Sequence, residues 1–258
     1  MNSHEEMAAA LHQAIITKRP IEPLTTTSPW LTVADAYRIQ QGLVEILLDG
    51  GGRIVGYKLG LTSKPMQELM GVNEPDFGPV LSSMVVDDGS EIDLSDYIQP
   101  RAEAEIALVL REPLAGPGVT ALQAAQAVAG AAPTIEMVDS RIKDWKIKLV
   151  DTISDLASSA AIILGPRAVS IDGWDPRLVG LVVARNGQTV ATGAGAAALG
   201  NPMRALAWLA NTLAPYGVAL EPGHFVMTGA LHAAFPISPG DVIRAEFDRL
   251  GPVTVRFK

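Results

Sequence analysis

Arg101-Ala-Glu-Ala-Glu-Ile-Ala-Leu-Val-Leu110 is the stretch on which the reading of this chain turns. As a strand it alternates between two faces. Ala102, Ala104, Ile106 and Leu108 make one face wholly apolar, so that face needs a core. The other sets Glu103 and Glu105 in line with Ala107 and Val109. Burial and like charge would both raise the pKa values of those acids and cost stability. A divalent cation between them removes the conflict, and Mg2+ or Mn2+ accepts such oxygen ligands. A third acid, Glu136, lies in Pro133-Thr-Ile-Glu-Met-Val-Asp-Ser-Arg-Ile142. In a strand it shares a face with Thr134 and Val138, while Asp139 points the other way. An acid inside an apolar stretch needs a partner, and a shared metal is one. The same spacing also fits a solvated face on which Glu103 and Glu105 pair with Arg101 or Arg141.

Outward from this strand, short β-type segments dominate: 53–59, 80–86, 132–139, 160–164, 179–185, 188–193, 241–247 and 252–257. Asn186-Gly187 between two of them is a two-residue hairpin signal. Helical spacing marks 5–18, and a second helix starts at Thr32, with Asp35 placed for a capping box and Gly50-Gly51-Gly52 as its stop. Further helices are expected at 64–70, 120–130 and 202–214, the last opened by Asn201-Pro202. The expectation is a helical N-terminal portion over residues 1–52, packed on a mixed, largely antiparallel β body over 53–258.

Composition narrows the function. The chain has 258 residues, 48% hydrophobic and 19% charged, as in globular proteins with a substantial core. A formal charge of −8 argues against a broad nucleic-acid surface. No apolar run approaches the ~18 residues of a membrane span. The acidic opening does not resemble a secretory signal, and a cytoplasmic location is expected. Cysteine is absent, so thiolate metal sites and disulfides are excluded. The four histidines are scattered, which argues against a histidine-rich zinc site, and His12 and His224 read as surface or structural residues. Gly193-Ala-Gly195 lacks the spacing of a dinucleotide loop and is read as backbone geometry.

Six phrases then fall in order: Gly56-Tyr-Lys-Leu-Gly-Leu-Thr-Ser63, Glu74-Pro-Asp-Phe-Gly78, Gln99-Pro-Arg-Ala-Glu-Ala-Glu-Ile-Ala107, Glu136-Met-Val-Asp-Ser-Arg141, Asp151-Thr-Ile-Ser-Asp155 and Gly223-His-Phe-Val-Met-Thr-Gly229. Together, from about Leu31 to Phe257, they resemble the 2-keto-4-pentenoate hydratase and 4-oxalocrotonate decarboxylase group of the fumarylacetoacetase superfamily. The resemblance implies an α+β fold built on that superfamily's mixed β-roll, with Glu103, Glu105 and Glu136 as ligands of Mg2+ or Mn2+. It assigns the active-site lysine to Lys58 and the acid/base aspartate to Asp76. It also implies a homo-oligomer, a pentamer or decamer, and association with a related pathway enzyme. One departure stands out: where the group usually reads Asp-Asn-Ala-Ser, this chain has Asp155-Leu156-Ala157-Ser158.

The activity implied is hydration of 2-hydroxypenta-2,4-dienoate (2-oxopent-4-enoate) or a close homologue to a 4-hydroxy-2-oxo acid, in aromatic or steroid catabolism. A cation would favour the enolate, and water would add at C4. Lys58 would stabilise the anion, or act as a base if its pKa is depressed. Asp76, read in a loop beside Phe77, would have a raised pKa. Read from the residues alone, Lys58 is also a surface lysine and Asp76 also a turn former. Asp155, Ser158, Ser159 and Thr228 are candidate substrate contacts, although Ser and Thr in loops often bond their own backbone. Decarboxylation of 4-oxalocrotonate is the nearest rival. A C–C hydrolase of the acylpyruvate type lacks an evident His–Glu pair here, and a non-catalytic assembly partner is a further alternative.

Overall fold

The computed structural model describes residues 3–258. Three helices open the chain: α1 (His4–Thr17), α2 (Leu24–Thr27) and α3 (Val33–Asp49). Ser3 and Glu6 form a capping box at the start of α1, and Thr32 and Asp35 form one at the start of α3, satisfying first-turn N–H groups that the helix leaves free. The apolar stripes of the two long helices meet through Met7, Leu11, Ile39 and Leu43. The same cluster takes in Leu81, Ile142 and Leu156 from the rest of the chain, so the helices share a core with the β body. Gln40 strengthens the join by donating to the carbonyls of Phe77 (3.0 Å) and Ile153 (2.8 Å).

The remaining elements are β1 (Ile54–Gly60), α4 (Lys64–Met70), β2 (Asp76–Leu81), β3 (Val85–Asp87), β4 (Glu91–Ile92), β5 (Arg101–Leu110), α5 (Ala121–Ala127) and β6 (Val128–Val138). They continue with α6 (Leu149–Ser154), β7 (Ser159–Leu164), β8 (Gly180–Arg185), β9 (Gln188–Ala194), α7 (Pro202–Leu213), β10 (Phe225–Met227), β11 (Phe235–Pro236), β12 (Val242–Phe247) and β13 (Gly251–Phe257). Two mixed sheets result. One has the order β2-β1-β10-β5-β6-β7-β3, with β11 also on β5; the other runs β4-β13-β12-β8-β9. The apolar face of β5 and β6, carrying Ala104, Ile106, Leu108, Ile135 and Met137, is buried in one cluster with Ile243, Phe247, Val253 and Val255 of the second sheet. Each of the larger of these side chains contributes about 1.5–3 kcal/mol on full burial. This core leaves the glutamate face of the first sheet turned away from the second. No described helix is long and apolar enough to cross a membrane.

Several expected elements shift. The segment expected as one strand over 80–86 is two, β2 from Asp76 and β3 from Val85. Asp76 is expected in a loop or turn between Pro75 and Gly78, but it opens β2, the sheet edge, where Pro79 without an N–H is tolerated. The helix expected over 120–130 ends at Ala127, and β6 begins at the next residue. The three-residue β10, together with α2 and α6, carries too short a pattern for periodicity to register.

Candidate active site

The register of the first sheet gathers the singled-out residues on one face. Glu103 pairs directly with Glu136, and Glu105 with Thr134. Directly paired residues point the same way. One carboxylate oxygen of each of Glu103, Glu105 and Glu136 lies within 4.8 Å of the others. Across the sheet, Ala107 pairs with Met227 and Met227 with Lys58, so the lysine is on this face too. Gly60, two residues along β1, pairs with Asp76. Lys58, Asp76, Glu105 and Glu136 are all at most 3% exposed. Glu105 and Glu136 therefore do not lie on a solvated face. Arg141 pairs with Asp155 instead, and Arg101 stacks on Trp145.

Lys58 Nζ donates to the Ala157 carbonyl (2.9 Å) and stands 3.4 Å from Glu136 Oε2. Burial pushes its pKa down, but Glu136 first, then Asp76, Glu103 and Glu105, hold the ammonium above its ordinary value. In the metal-free fold Lys58 therefore holds its proton. Burial, with Glu136 next, pushes Glu103 up to about 7 and raises Glu105 well above the carboxylate range. Glu105 keeps one partner, the Gly229 amide, which donates to Oε2 (2.8 Å). Burial also raises Asp76, against the opposing pull of Lys58. Its setting is a strand rather than the expected loop, and the approach is close. A Cβ on Gly60 would sit 2.1 Å from Asp76 Oδ1, so only glycine leaves room for this carboxylate.

The donor set fits a hard divalent cation. Four acids face one lysine, all three clustered ligands are carboxylates, and neither oxygen of Glu136 has a hydrogen-bond partner. Unpartnered buried polar atoms are costly and rare. Among the described residues they belong to Asp76, Glu136, Ser158, Ser159 and, elsewhere, His4. Four of these five residues were singled out from the sequence as site or contact candidates.

Asp155 and Thr228 stand apart from Ser158. Both Asp155 oxygens are taken by Arg141, Oδ1 by Nε and Oδ2 by the backbone N–H (2.9 Å). Thr228 donates its hydroxyl to the Ile106 carbonyl (3.0 Å). Asp155 instead anchors a turn that sequence reasoning did not anticipate. Leu156, Ala157 and Ser158 all adopt left-handed backbone, with φ of 55, 50 and 57°. Each costs on the order of 1–2 kcal/mol for a non-glycine residue. The fully buried Arg141–Asp155 pair, Arg141 Nη1 to the Ser159 carbonyl (2.9 Å) and Ser158 N–H to the Asp155 carbonyl (2.8 Å) hold the turn in place. Its outcome is the Ala157 carbonyl aimed at Lys58. Gly78 lets it approach, since a Cβ there would meet the Leu156 carbonyl at 2.6 Å. The Leu156 side chain is fully buried in the cluster of the N-terminal helices. Nothing in the sequence marks this turn, because its residues are not glycines.

Comparison with known proteins fits this architecture. Residues 58–258 match the model of the fumarylacetoacetate (FAA) hydrolase C-terminal family. The chain is 42% identical, over 98% of its length and 94% of the relative's, to a 2-keto-4-pentenoate hydratase of Paraburkholderia xenovorans. It is 45% identical over 83% of its length, and 97% of the relative's, to a 2-hydroxypent-2,4-dienoate hydratase of Pseudomonas putida. Among solved structures, a 4-oxalocrotonate decarboxylase from Pseudomonas putida G7, complexed with magnesium and adipate, superposes with a TM-score of 0.96 at 38% identity, over 99% of this chain and 97% of that one. The chain is an α+β member of the fumarylacetoacetase superfamily and belongs, within it, to the 2-keto-4-pentenoate hydratase and 4-oxalocrotonate decarboxylase family. It is an enzyme of that family's lyase type.

Proposed function

We propose that this chain is a cytoplasmic, cation-dependent hydratase of 2-hydroxypenta-2,4-dienoate (2-oxopent-4-enoate) or a close homologue. It would yield a 4-hydroxy-2-oxo acid in aromatic or steroid catabolism, working as a homo-oligomer. The observation that carries the reading is Asp76, buried and unpartnered at Oδ1, on the face that holds Lys58 and the three glutamates. Glu103, Glu105 and Glu136 would hold Mg2+ or Mn2+. When bound, the cation supplies Lewis-acid stabilisation of enolate charge.

The side chains then divide the work. Lys58, fixed by the Ala157 carbonyl and Glu136, offers its remaining N–H to the anionic oxygens of the acid and orients it. Asp76, whose raised pKa favours the proton-bearing form, gives a proton to C5 as the 2-hydroxyl releases its own to solvent. This leaves a double bond between C3 and C4, conjugated to the 2-oxo group. The Asp76 carboxylate next takes a proton from the water that attacks C4, and C3 takes one from solvent, replacing the proton the 2-hydroxyl released, to complete the product. The unpartnered Ser158 hydroxyl is available to hold the water or the acid.

The test is direct. Purified protein with Mg2+ is given 2-hydroxypenta-2,4-dienoate and, separately, 4-oxalocrotonate. Loss of dienol absorbance with formation of 4-hydroxy-2-oxopentanoate supports hydration. Release of CO2 from the second acid with no turnover of the first replaces hydration with decarboxylation, the reading favoured by the 0.96 superposition on a decarboxylase.

A further inference from the structure

The sheet row next to the glutamates carries groups that the reaction above does not use. Arg101 pairs with Val138, and Val138 with Ser159, so the three lie side by side across β5, β6 and β7. This row is two residues, about 7 Å along the strand, from the Glu103–Glu136 pair. A register shift at Val138 skips Ala160 and sets Ser159 beside Val138 on the glutamate face. Ala160 and Ala161 turn instead to the large core. Ser159 is 1% exposed, and its buried hydroxyl has no hydrogen-bond partner.

Arg101 is the cation of this row. Its guanidinium carbon lies 4.4 Å from the centre of the Trp145 ring. The stack occupies one π-face and leaves the N–H edges open. Among the described residues, no carboxylate or carbonyl hydrogen-bonds the guanidinium. The platform itself is tied down. Trp145 Nε1 donates to the Gln99 carbonyl (3.0 Å), and Gln99 Nε2 donates to the carbonyls of Ser140 (2.8 Å) and Ile142 (2.6 Å). The arginine is therefore oriented and yet unengaged. The glutamate row offers acceptors, and the Arg101 row offers donors. A ligand lying across both would chelate a cation at one end and present an anionic acceptor at the other.

We propose that Arg101, braced by Trp145 and accompanied by the Ser159 hydroxyl, is the carboxylate-binding arm of this site. The proposal rests on the site binding a 2-oxo or 2-hydroxydienoic acid, as argued above. Two carboxylates could occupy the arm: the 1-carboxylate of a monoacid, or a second carboxylate at the far end of a diacid.

The test compares wild type with Arg101→Gln and Arg101→Lys, with circular dichroism and Tm confirming the fold. Steady-state kinetics use 2-hydroxypenta-2,4-dienoate and its diacid counterpart 2-hydroxyhexa-2,4-dienedioate. Calorimetry with Mg2+ measures binding of pyruvate and 2-oxoadipate. A loss of about tenfold or more in KM and in affinity, with kcat within about threefold, is the scale of one charge-assisted hydrogen bond. If both acids and pyruvate weaken in Arg101→Gln, the arm takes the 1-carboxylate. If only the diacids weaken, it takes the far one. Arg101→Lys should recover part of the loss, and Trp145→Ala should shift KM the same way by less, with Trp145→Phe near wild type. Unchanged KM and affinity for every acid would overturn the proposal. Should wild type turn over neither dienoate, hydration falls, while Arg101 is still decided by calorimetry: equal binding by wild type and Arg101→Gln, or none by either, overturns it.

Discussion

Replacing Glu103 by Gln should push stability in opposite directions with and without a divalent cation. In the metal-free fold, burial and Glu136 raise the Glu103 carboxyl from its ordinary 4.5 to about 7. A group whose folded pKa is raised binds its proton more tightly in the native state, so native stability is fullest below pH 4.5 and declines as pH climbs to 7. The rise is worth roughly 3 kcal/mol, and because Glu103 is only half-buried, solvent screening trims it to about 2 kcal/mol. Gln carries no charge at any pH. At pH 8 in EDTA, Glu103→Gln should thus be about 2 kcal/mol more stable than wild type, and at pH 4.5 the two should agree. Saturating Mg2+ should reverse the order, because wild type gains binding free energy that the variant largely lacks. Urea unfolding at both pH values, with EDTA and with Mg2+, measures all four states. A metal-free variant no more stable than wild type at pH 8 would refute the claim that the glutamates sit in unrelieved conflict without a cation.

Other perturbations reach the neighbouring parts. Gly60→Ala places a methyl against Asp76 Oδ1, so turnover should fall at least about tenfold while the Mg2+ affinity measured by calorimetry stays put; retained turnover would detach Asp76 from the chemistry. His232 accepts a hydrogen bond from the Ala104 N–H at Nε2 (3.0 Å), and burial holds its pKa below 6.5. The neutral ring is the native form, so stability should be complete above pH 6.5 and decline as pH falls below it, and His232→Gln should flatten that limb of a Tm-against-pH curve. Leu156→Asn exchanges a fully buried side chain for one better suited to left-handed backbone. The lost burial outweighs the eased strain, for a net cost of about 1–2 kcal/mol in urea unfolding, with activity near wild type because the side chain faces the helices.

What the sequence made legible follows from what repeats locally. The alternation in 101–110, the capping box at Thr32 and the Asn186-Gly187 hairpin each act within a few residues, and each is present. The face shared by Glu103, Glu105 and Glu136 also followed from a period of two once both segments were strands. What stayed hidden depends on distant partners. β2 looked like a loop because Asp76 stands between Pro75 and Phe77 and just before Gly78, and the edge position that accommodates Pro79 is a tertiary fact. The left-handed turn at 156–158 is dictated by Arg141 and Asp155, which override the preferences of Leu, Ala and Ser. Ser159 reaches the glutamate face through a register shift that no alternation pattern contains. Likewise, the partner of Arg141 proved to be Asp155, because charge spacing alone does not tell which acid a buried arginine meets.

The pairing of β1 with β10 has a consequence for how the molecule is made. Lys58 reaches its place only when β1 slots in parallel beside residues 225–227, near the far end of the chain. During synthesis the strand bearing the lysine therefore waits for most of the polypeptide to emerge, and closing so long a loop is slow. Until then β1 and β5 each show an open hydrogen-bonding edge, the kind of surface through which unfinished chains stick to one another. A chain cut short before Phe225 would forfeit far more than its last strands: β1 would lack the neighbour that seats Lys58 on the same face as the acids.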